Sequence, residues 1–460
     1  MTLMSIVHDW NPEDRRFWAA TGRTVATRNL WLSVASLVLS FAVWMLWSVV
    51  VVHLPAAGFR YSTNQLFWLA ALPALCGATL RIFYAFAVPV LGGRRFTVLA
   101  TASLLLPAVG LGLAVQDPGT PFEWMVVLAL LCGLGGGNFA SSMANISFFY
   151  PNERKGYALG LNAGLGHLGM ALAQWLVPLV IGVGVFGALG GPAQDTPQGP
   201  MWLQNAGFIW VPLILASTLA AALGMDDLAD VRAGFAEQAV IFTRRHTWMM
   251  CWLYLGSFGS FIGLAAGLPM LTQTQFQHSE ALQIVWLGPL IGALLRPLGG
   301  WWADRWGGAR VTFWSFTAMA LGAALAMACL PGTGPGGPAG TLSGFLAGFG
   351  LVFAAAGVGN GSTFRMTSAL FVGTRLRNAE PLPIAQAQAA KEGAVEAAAA
   401  LGFASAIGAY GGFFIPKSFG TSLALTGSPA AALGLFIAFY LSCIALTWWA
   451  CSRRNAPHPC

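Results

Sequence analysis

Charge is what this sequence has least of. Only 8% of its 460 residues are Asp, Glu, Lys or Arg, against 57% hydrophobic, and the mean hydropathy is +0.67. A soluble globular chain is about 25% charged, so a chain this poor in charge cannot cover a water-facing surface. The composition excludes an ordinary soluble protein and implies one that crosses a membrane many times. Metal chemistry finds no foothold either. The seven cysteines form no Cys-x-x-Cys or Cys/His cluster. Cys76, Cys132, Cys251, Cys329 and Cys443 lie in apolar stretches as small hydrophobes, and Cys451 and Cys460 lie near or at the C-terminus. Residues 1–28 lack an apolar core, so no cleaved signal peptide is expected. No nucleophile–base pair and no cofactor motif is present, which argues against an enzyme. No soluble effector segment is present, which argues against a membrane sensor.

What the chain does have is apolar runs. About twelve are near the length of roughly 20 residues that a hydrocarbon core requires. They fall at about 30–52, 64–90, 96–115, 122–149, 156–185, 203–224, 247–270, 281–303, 309–330, 341–373, 395–415 and 429–451. Backbone groups in lipid must bond within their own segment, so each run is expected to be a helix. Gly184–Pro200 and Pro331–Gly340 read as external turns, and the polar stretch from Asp226 reads as a cytoplasmic linker. The expected domains are 1–225, a linker at 226–246, and 247–460.

Orientation follows from the basic residues. With both termini in the cytoplasm, all but five of the 23 Lys and Arg residues fall in cytoplasmic segments. Arg60 and Lys417 fall outside, and Arg81, Arg296 and Arg365 lie within helices. The net charge of +7 thus reflects topology rather than affinity for nucleic acid.

The two halves repeat. Arg81 precedes the last residue of "GGRR" (Gly92–Arg95) by the same spacing that separates Arg296 from the last residue of "GGAR" (Gly307–Arg310). "ALG" at Ala158–Gly160 is followed by Gly166 and Gly169, and "ALG" at Ala400–Gly402 by Gly408 and Gly411, at identical offsets. Two related six-helix halves describe the major facilitator architecture, an all-α membrane fold with a substrate site near mid-membrane. Around the second turn, Asp304, Arg305 and Arg310 fit that superfamily's loop motif, expected to act as a gating latch. The alternative is an ordinary charged turn. The first copy has no such Asp.

Eleven residues of helix span about 16 Å, half of a core about 30 Å thick. Arg81 and Arg296 are therefore expected near the midplane. Arginine stays charged, and inserting it at the bilayer centre costs about 3 kcal/mol or more. A structural ion pair would need a buried acid, yet the 16 Asp and Glu residues read as tail, loop or helix-end residues, with Glu392 and Glu396 the closest to a helix interior. The expected counter-ion is the substrate, a small anion. A guanidinium fork suits a planar oxyanion. Phe139, Tyr254, Phe258 and Phe364 are candidates to flank it, each against the alternative of ordinary packing.

Four stretches then carry a resemblance: "GGGNFASSMANISFFYP" (Gly135–Pro151), "GYALGLNAGLGHLGMALAQWLVPLV" (Gly156–Val180), "GVGNGSTFRM" (Gly357–Met366) and "AIGAYGGFFIPKSFGTSLALTGSP" (Ala406–Pro429). The chain resembles the nitrate/nitrite porter family of the major facilitator superfamily, of the bacterial NarK type, over nearly its whole length. The resemblance implies that Arg81 and Arg296 grip nitrate or nitrite. It makes Phe139 and Phe258 the lining rings and Tyr254 a hydrogen-bonding partner. Gly164, Gly166, Gly408 and Gly411 match signature glycines, and Asn162 belongs to the same anion-site set. It further implies a monomer in the bacterial inner membrane, with no cofactor and no nucleic-acid partner. Two positions depart from the family. His167 stands where an Asn is usual, and reads as a donor, a proton site or a local packing residue. Arg365 stands where relatives carry Gln, and reads as a snorkelling side chain or a third charge in the inner pathway. The expected activity is nitrate/nitrite exchange by alternating access. Nitrate/proton symport through His167, carriage of another small anion and an anion channel are the alternatives.

Overall fold

The computed structural model describes residues 6–197, 199–229, 239–276, 282–332, 340–380, 383–453 and 456. Helix dominates it. The long helical runs are α1 (Arg15–His53), α2 (Thr63–Leu91), α3 (Gly93–Ala114), α4 (Phe122–Phe149), α5 (Asn152–Ile181), α6 (Asn205–Gly224), α7 (Arg245–Phe276), α8 (Leu287–Trp306), α9 (Gly308–Ala328), α10 (Leu342–Asn378), α11 (Ile384–Thr426) and α12 (Ala430–Ser452). Eleven of these are long and apolar enough to cross a membrane. Helix α8 is not among them, and Arg296, Asp304 and Arg305 lie within its 20 residues. Outside the long helices, the described residues form four short strands and two short 3-10 turns, Gly187–Gly190 and Ala239–Thr243. β1 (Ile6–Val7) pairs in parallel with β4 (Asp227–Leu228), and β2 (Gln194–Thr196) pairs antiparallel with β3 (Gly199–Met201) in the expected external turn.

The chain divides into two compact units. The first comprises Met1–Ala233, Ala265–Gln273 and His278–Trp286; the second comprises Gly234–Leu264, Thr274–Gln277 and Leu287–Cys460. Each unit packs its helices in the same pairs. Helix α1 packs on α5 as α7 does on α11, α2 on α4 as α8 on α10, and α3 on α6 as α9 on α12. One close crossing repeats as well. A Cβ on Gly133 of α4 would lie 2.8 Å from the backbone N of Gly77, and one on Gly357 of α10 would lie 2.3 Å from the carbonyl of Gly292. Both crossings sit one turn before an arginine, Arg81 or Arg296. Without a side chain the two backbones touch, which is how helices associate where lipid offers no hydrophobic driving force.

Several boundaries differ from expectation. Helix α1 begins at Arg15, not near residue 30, because Asp14 caps it by accepting the Arg16 amide at 2.8 Å, and Trp10 and Trp18 pack on Ile146, Phe149 and Tyr150. Helix α11 runs well past the expected 395–415 at both ends. Its ladder loosens at Tyr410, whose carbonyl accepts the Phe413 amide three residues on, then continues to Gly427 with φ +70°. The Ser- and Thr-rich stretch that reads as a loop stays helical because its hydroxyls fold back: Ser418 bonds the Phe414 carbonyl at 2.7 Å and Thr426 the Ser422 carbonyl at 2.8 Å. Lys417 is accordingly a helical residue bonded to Thr421 rather than a loop residue. Glu392 and Glu396 also lie inside α11, and Glu396 is buried beneath Arg244 (3.1 Å) and Arg375 (2.6 Å). The expected start of α8 at 281 and most of Pro331–Gly340 lie outside the described residues, as does Cys460. The six described cysteines are free thiols.

Candidate functional site

Within the first unit, Arg81 is 1% exposed on α2. Its Nε donates to the Gly136 carbonyl at 2.8 Å, so the glycine-rich face of α4 both admits the helix and orients the guanidinium. The Arg81 Cζ lies 4.7 Å from the Phe139 ring centroid and 5.2 Å from that of Trp44. Trp44 is held by its own indole bond to the Pro73 carbonyl at 2.8 Å. A cation against an aromatic face gains about 0.5–2 kcal/mol, more as water is excluded. Behind Phe139 stands His167, fully buried, its ring 5.6 Å from Phe139 and 4.5 Å from Phe41. His167 Nδ1 meets the carbonyl of Ala163, one turn back on α5.

Within the second unit, Arg296 is 9% exposed on α8 and donates through Nη2 to the Tyr254 hydroxyl at 3.3 Å. Its Cζ lies 5.7 Å from the half-buried Phe364 ring. Tyr254 ends the first regular stretch of α7, and Phe258 follows on a wide π-type turn over Leu255–Gly259 before regular helix resumes at Ser260, the two rings 5.4 Å apart. Such turns re-aim side chains that regular helix would carry elsewhere. Gly408 of α11 makes room for this pair: a Cβ there would lie 2.9 Å from the Tyr254 ring and 3.1 Å from that of Phe258. Arg296, Tyr254, Phe258, Phe364 and Gly408 thus form one cluster, as Arg81, Phe139 and His167 do in the first unit.

The other glycines divide. A Cβ on Gly411 would meet Gly259 Cα at 2.3 Å, and one on Gly166 would meet Leu37 at 2.6 Å, so both mark close helix crossings. Gly164 has open space where its Cβ would be. Asn162 turns to α4, where Nδ2 donates to Ser142 Oγ at 2.8 Å, within a hydroxyl cluster that includes the Ser33–Ser142 bond.

At the α8–α9 turn, Asp304 forms an ion pair with Arg365 of α10. Neither reading of Arg365 named this partner: its guanidinium is engaged by the motif's carboxylate. Arg305 lies over the Trp301 ring at 4.1 Å, and Arg310 is exposed on the first turn of α9.

Trp44 and Phe41 are absent from the sequence-based candidates. The repeat carries a signal for Phe41. Gly166 touches Leu37 as Gly408 touches Tyr254, and Phe41 stands four residues after Leu37 as Phe258 does after Tyr254. Trp44 carries the same signal: Phe261 stands seven residues after Tyr254 as Trp44 does after Leu37, and the two rings cover the paired glycines Gly77 and Gly292.

Paired helix packing repeated in two units, with a buried arginine against aromatic rings in each, belongs to a membrane carrier. The Major Facilitator Superfamily model matches residues 32–378, and the chain belongs to that superfamily. Within it, the chain is of the NarK-type nitrate/nitrite porter group: it is 50% identical over 451 residues to the nitrate/nitrite transporter NarU of Salmonella typhimurium, covering 98% of this chain and 97% of that one. It is 49% identical over 453 residues to NarU of Escherichia coli, covering 98% and 97%, and 39% identical over 464 residues to the probable nitrate/nitrite antiporter NarK2 of Thermus thermophilus, covering 99% and 98%. The fold is also that of the crystal structure of the nucleoside transporter NupG, with a TM-score of 0.60 at 13% identity over 91% of this chain and 98% of that one. The chain is a transporter of this superfamily and not an enzyme. It is a multi-pass membrane protein.

Proposed function

We propose that this protein exchanges nitrate and nitrite across the bacterial inner membrane by alternating access. Arg81 of the first unit and Arg296 of the second engage one anion. Helix α8 counts as a twelfth span, six belong to each half, and both termini face the cytoplasm. The observation that carries this reading is the repeated constellation, a buried arginine one turn beyond a glycine–glycine crossing and set against aromatic rings, once in each unit. The names of the most similar relatives agree with it. A guanidinium presents a flat fork of donors to a planar oxyanion, and rings beside it exclude water and match the anion's shape. An empty site leaves two cations to repel each other, and an anion relieves that repulsion and permits closure. Exchange rather than net flux follows. Asp304, Arg305 and Arg310 act at the cytoplasmic gate, where the exposed Asp304–Arg365 pair opens and closes.

The rival is nitrate/proton symport through His167, which contacts the ring that carries Arg81. Counterflow in proteoliposomes, with and without a pH gradient, separates the two. Exchange requires internal anion and ignores the gradient. Nitrate uptake into anion-free vesicles, driven by the gradient and lost in His167→Asn, would establish symport instead.

A further inference from the structure

The two cytoplasmic turns have the same backbone. Gly92 and Gly307 open α3 and α9 with φ/ψ of +89°/148° and +86°/137°. In the second half the acid stands three residues before that glycine, as Asp304. In the first half that position is Pro89, and the motif has no carboxylate. The structure fills the gap from elsewhere in the chain. Asp227, just beyond the end of α6, reaches the first-half turn. Its Oδ1 accepts the Arg94 amide at 2.8 Å, and its Oδ2 lies 3.7 Å from Arg94 Nε and 3.8 Å from Arg95 Nε. The fit leaves no slack, since a Cβ on Gly92 would lie 2.6 Å from Asp227 Oδ1.

Asp227 is itself anchored. It pairs across β1–β4 with Ile6, and the Ala229 amide bonds the Val7 carbonyl at 3.1 Å. Its neighbour Asp226 accepts from Arg28 at 2.6 Å and from Asn29 at 2.7 Å, tying the same segment to α1. The two ties differ in exposure. Asp304 and Arg365 are 50% and 59% exposed, whereas Asp227 and Arg94 are 9% and 12% exposed. Water and salt screen the first pair strongly and the second weakly.

We propose that Asp227 is the positioning carboxylate of the first-half cytoplasmic turn, supplied by the interdomain linker in place of the acid the motif lacks. The buried Asp227 tie holds through the transport cycle, while the exposed Asp304–Arg365 pair is the one that opens. The start of the linker is thereby rooted on the first half at Asp226–Ala229, against the start of α3. This rests on the alternating-access reading above.

The test is a double-mutant cycle of Asp227→Asn, Arg94→Gln and the combined variant, since Arg94 is the buried partner. Nitrate/nitrite exchange in proteoliposomes is read beside nitrate binding by calorimetry. Asparagine keeps an oxygen for the Arg94 amide, so the helix stays capped and only the charge is lost. Each single change is expected to slow exchange about tenfold with nitrate affinity unchanged, and the combined variant to be no slower than the slower single one. Wild-type exchange in Asp227→Asn, or losses that multiply, would overturn the proposal. Should Asp227→Asn not insert, Arg94→Gln with Arg95→Gln leaves the linker intact and is expected to show the same loss; wild-type exchange there overturns it equally. If the unmodified protein neither binds nor exchanges nitrate, the functional reading fails by itself. The Asp227 claim then stands or falls on hydrogen exchange at residues 92–96, expected to quicken in Asp227→Ala, which removes the acceptor of the Arg94 amide.

Discussion

Replacing Arg81 by lysine keeps the charge and removes the fork. Two sets of contacts change, and they act on different quantities. The Nε bond to the Gly136 carbonyl is present with or without the anion, so its loss lowers stability and leaves affinity nearly untouched. The ring contacts with Phe139 and Trp44 survive in part, because an ammonium also sits over an aromatic face. What affinity loses is the second prong to the anion. A charge-assisted hydrogen bond contributes about 1.5–3 kcal/mol, and each 1.4 kcal/mol is a decade, so nitrate should bind about tenfold to a hundredfold more weakly. Arg296→Lys should behave alike, because Arg296 presents the same planar group beside Tyr254. Calorimetric titration of nitrate into purified protein measures both, with thermal melting read separately for the stability effect. If both lysine variants bind nitrate with wild-type affinity, the fork has no role and the geometric reasoning is wrong.

Other outcomes follow from the same contacts. Phe139→Ala removes the ring beneath Arg81 and should weaken nitrate binding about fivefold, for a loss near 1 kcal/mol, measurable in the same titration. Gly357→Ala would place a methyl 2.3 Å from the Gly292 carbonyl and force α8 from α10, so the yield of monodisperse protein should collapse on size exclusion. Gly160→Ala, with nothing within 4 Å, should be silent in that measurement. Glu396→Gln strips the carboxylate from Arg244 and Arg375; because both arginines are about one-third exposed, the loss is about 1–2 kcal/mol rather than that of a fully buried pair. It should lower the melting temperature by roughly a few degrees and leave nitrate affinity unchanged.

Composition and run length alone reveal the membrane-spanning helices, because lipid imposes one demand on every segment: apolar side chains and internally bonded backbone. The spacing from Arg81 to "GGRR" and from Arg296 to "GGAR" is likewise a one-dimensional signal, since a helix converts residue count directly into depth. Such regularities point to Arg81, Arg296 and the paired glycines before any coordinates are seen. Helix ends are less legible. The Ser- and Thr-rich run after Pro416 looks like a loop until its hydroxyls are seen bonded to their own helix.

Contacts that join distant segments belong to the tertiary structure. Trp44 beneath Arg81, Arg365 against Asp304 and Asp227 on the Arg94 amide join residues 37, 61 and 133 positions apart. No periodicity reports them, because which face of one helix meets which face of another is decided by packing. Pro89 shows the difference. Read along the chain it marks a missing carboxylate, and in the fold the carboxylate is present, delivered by a strand that begins beyond α6.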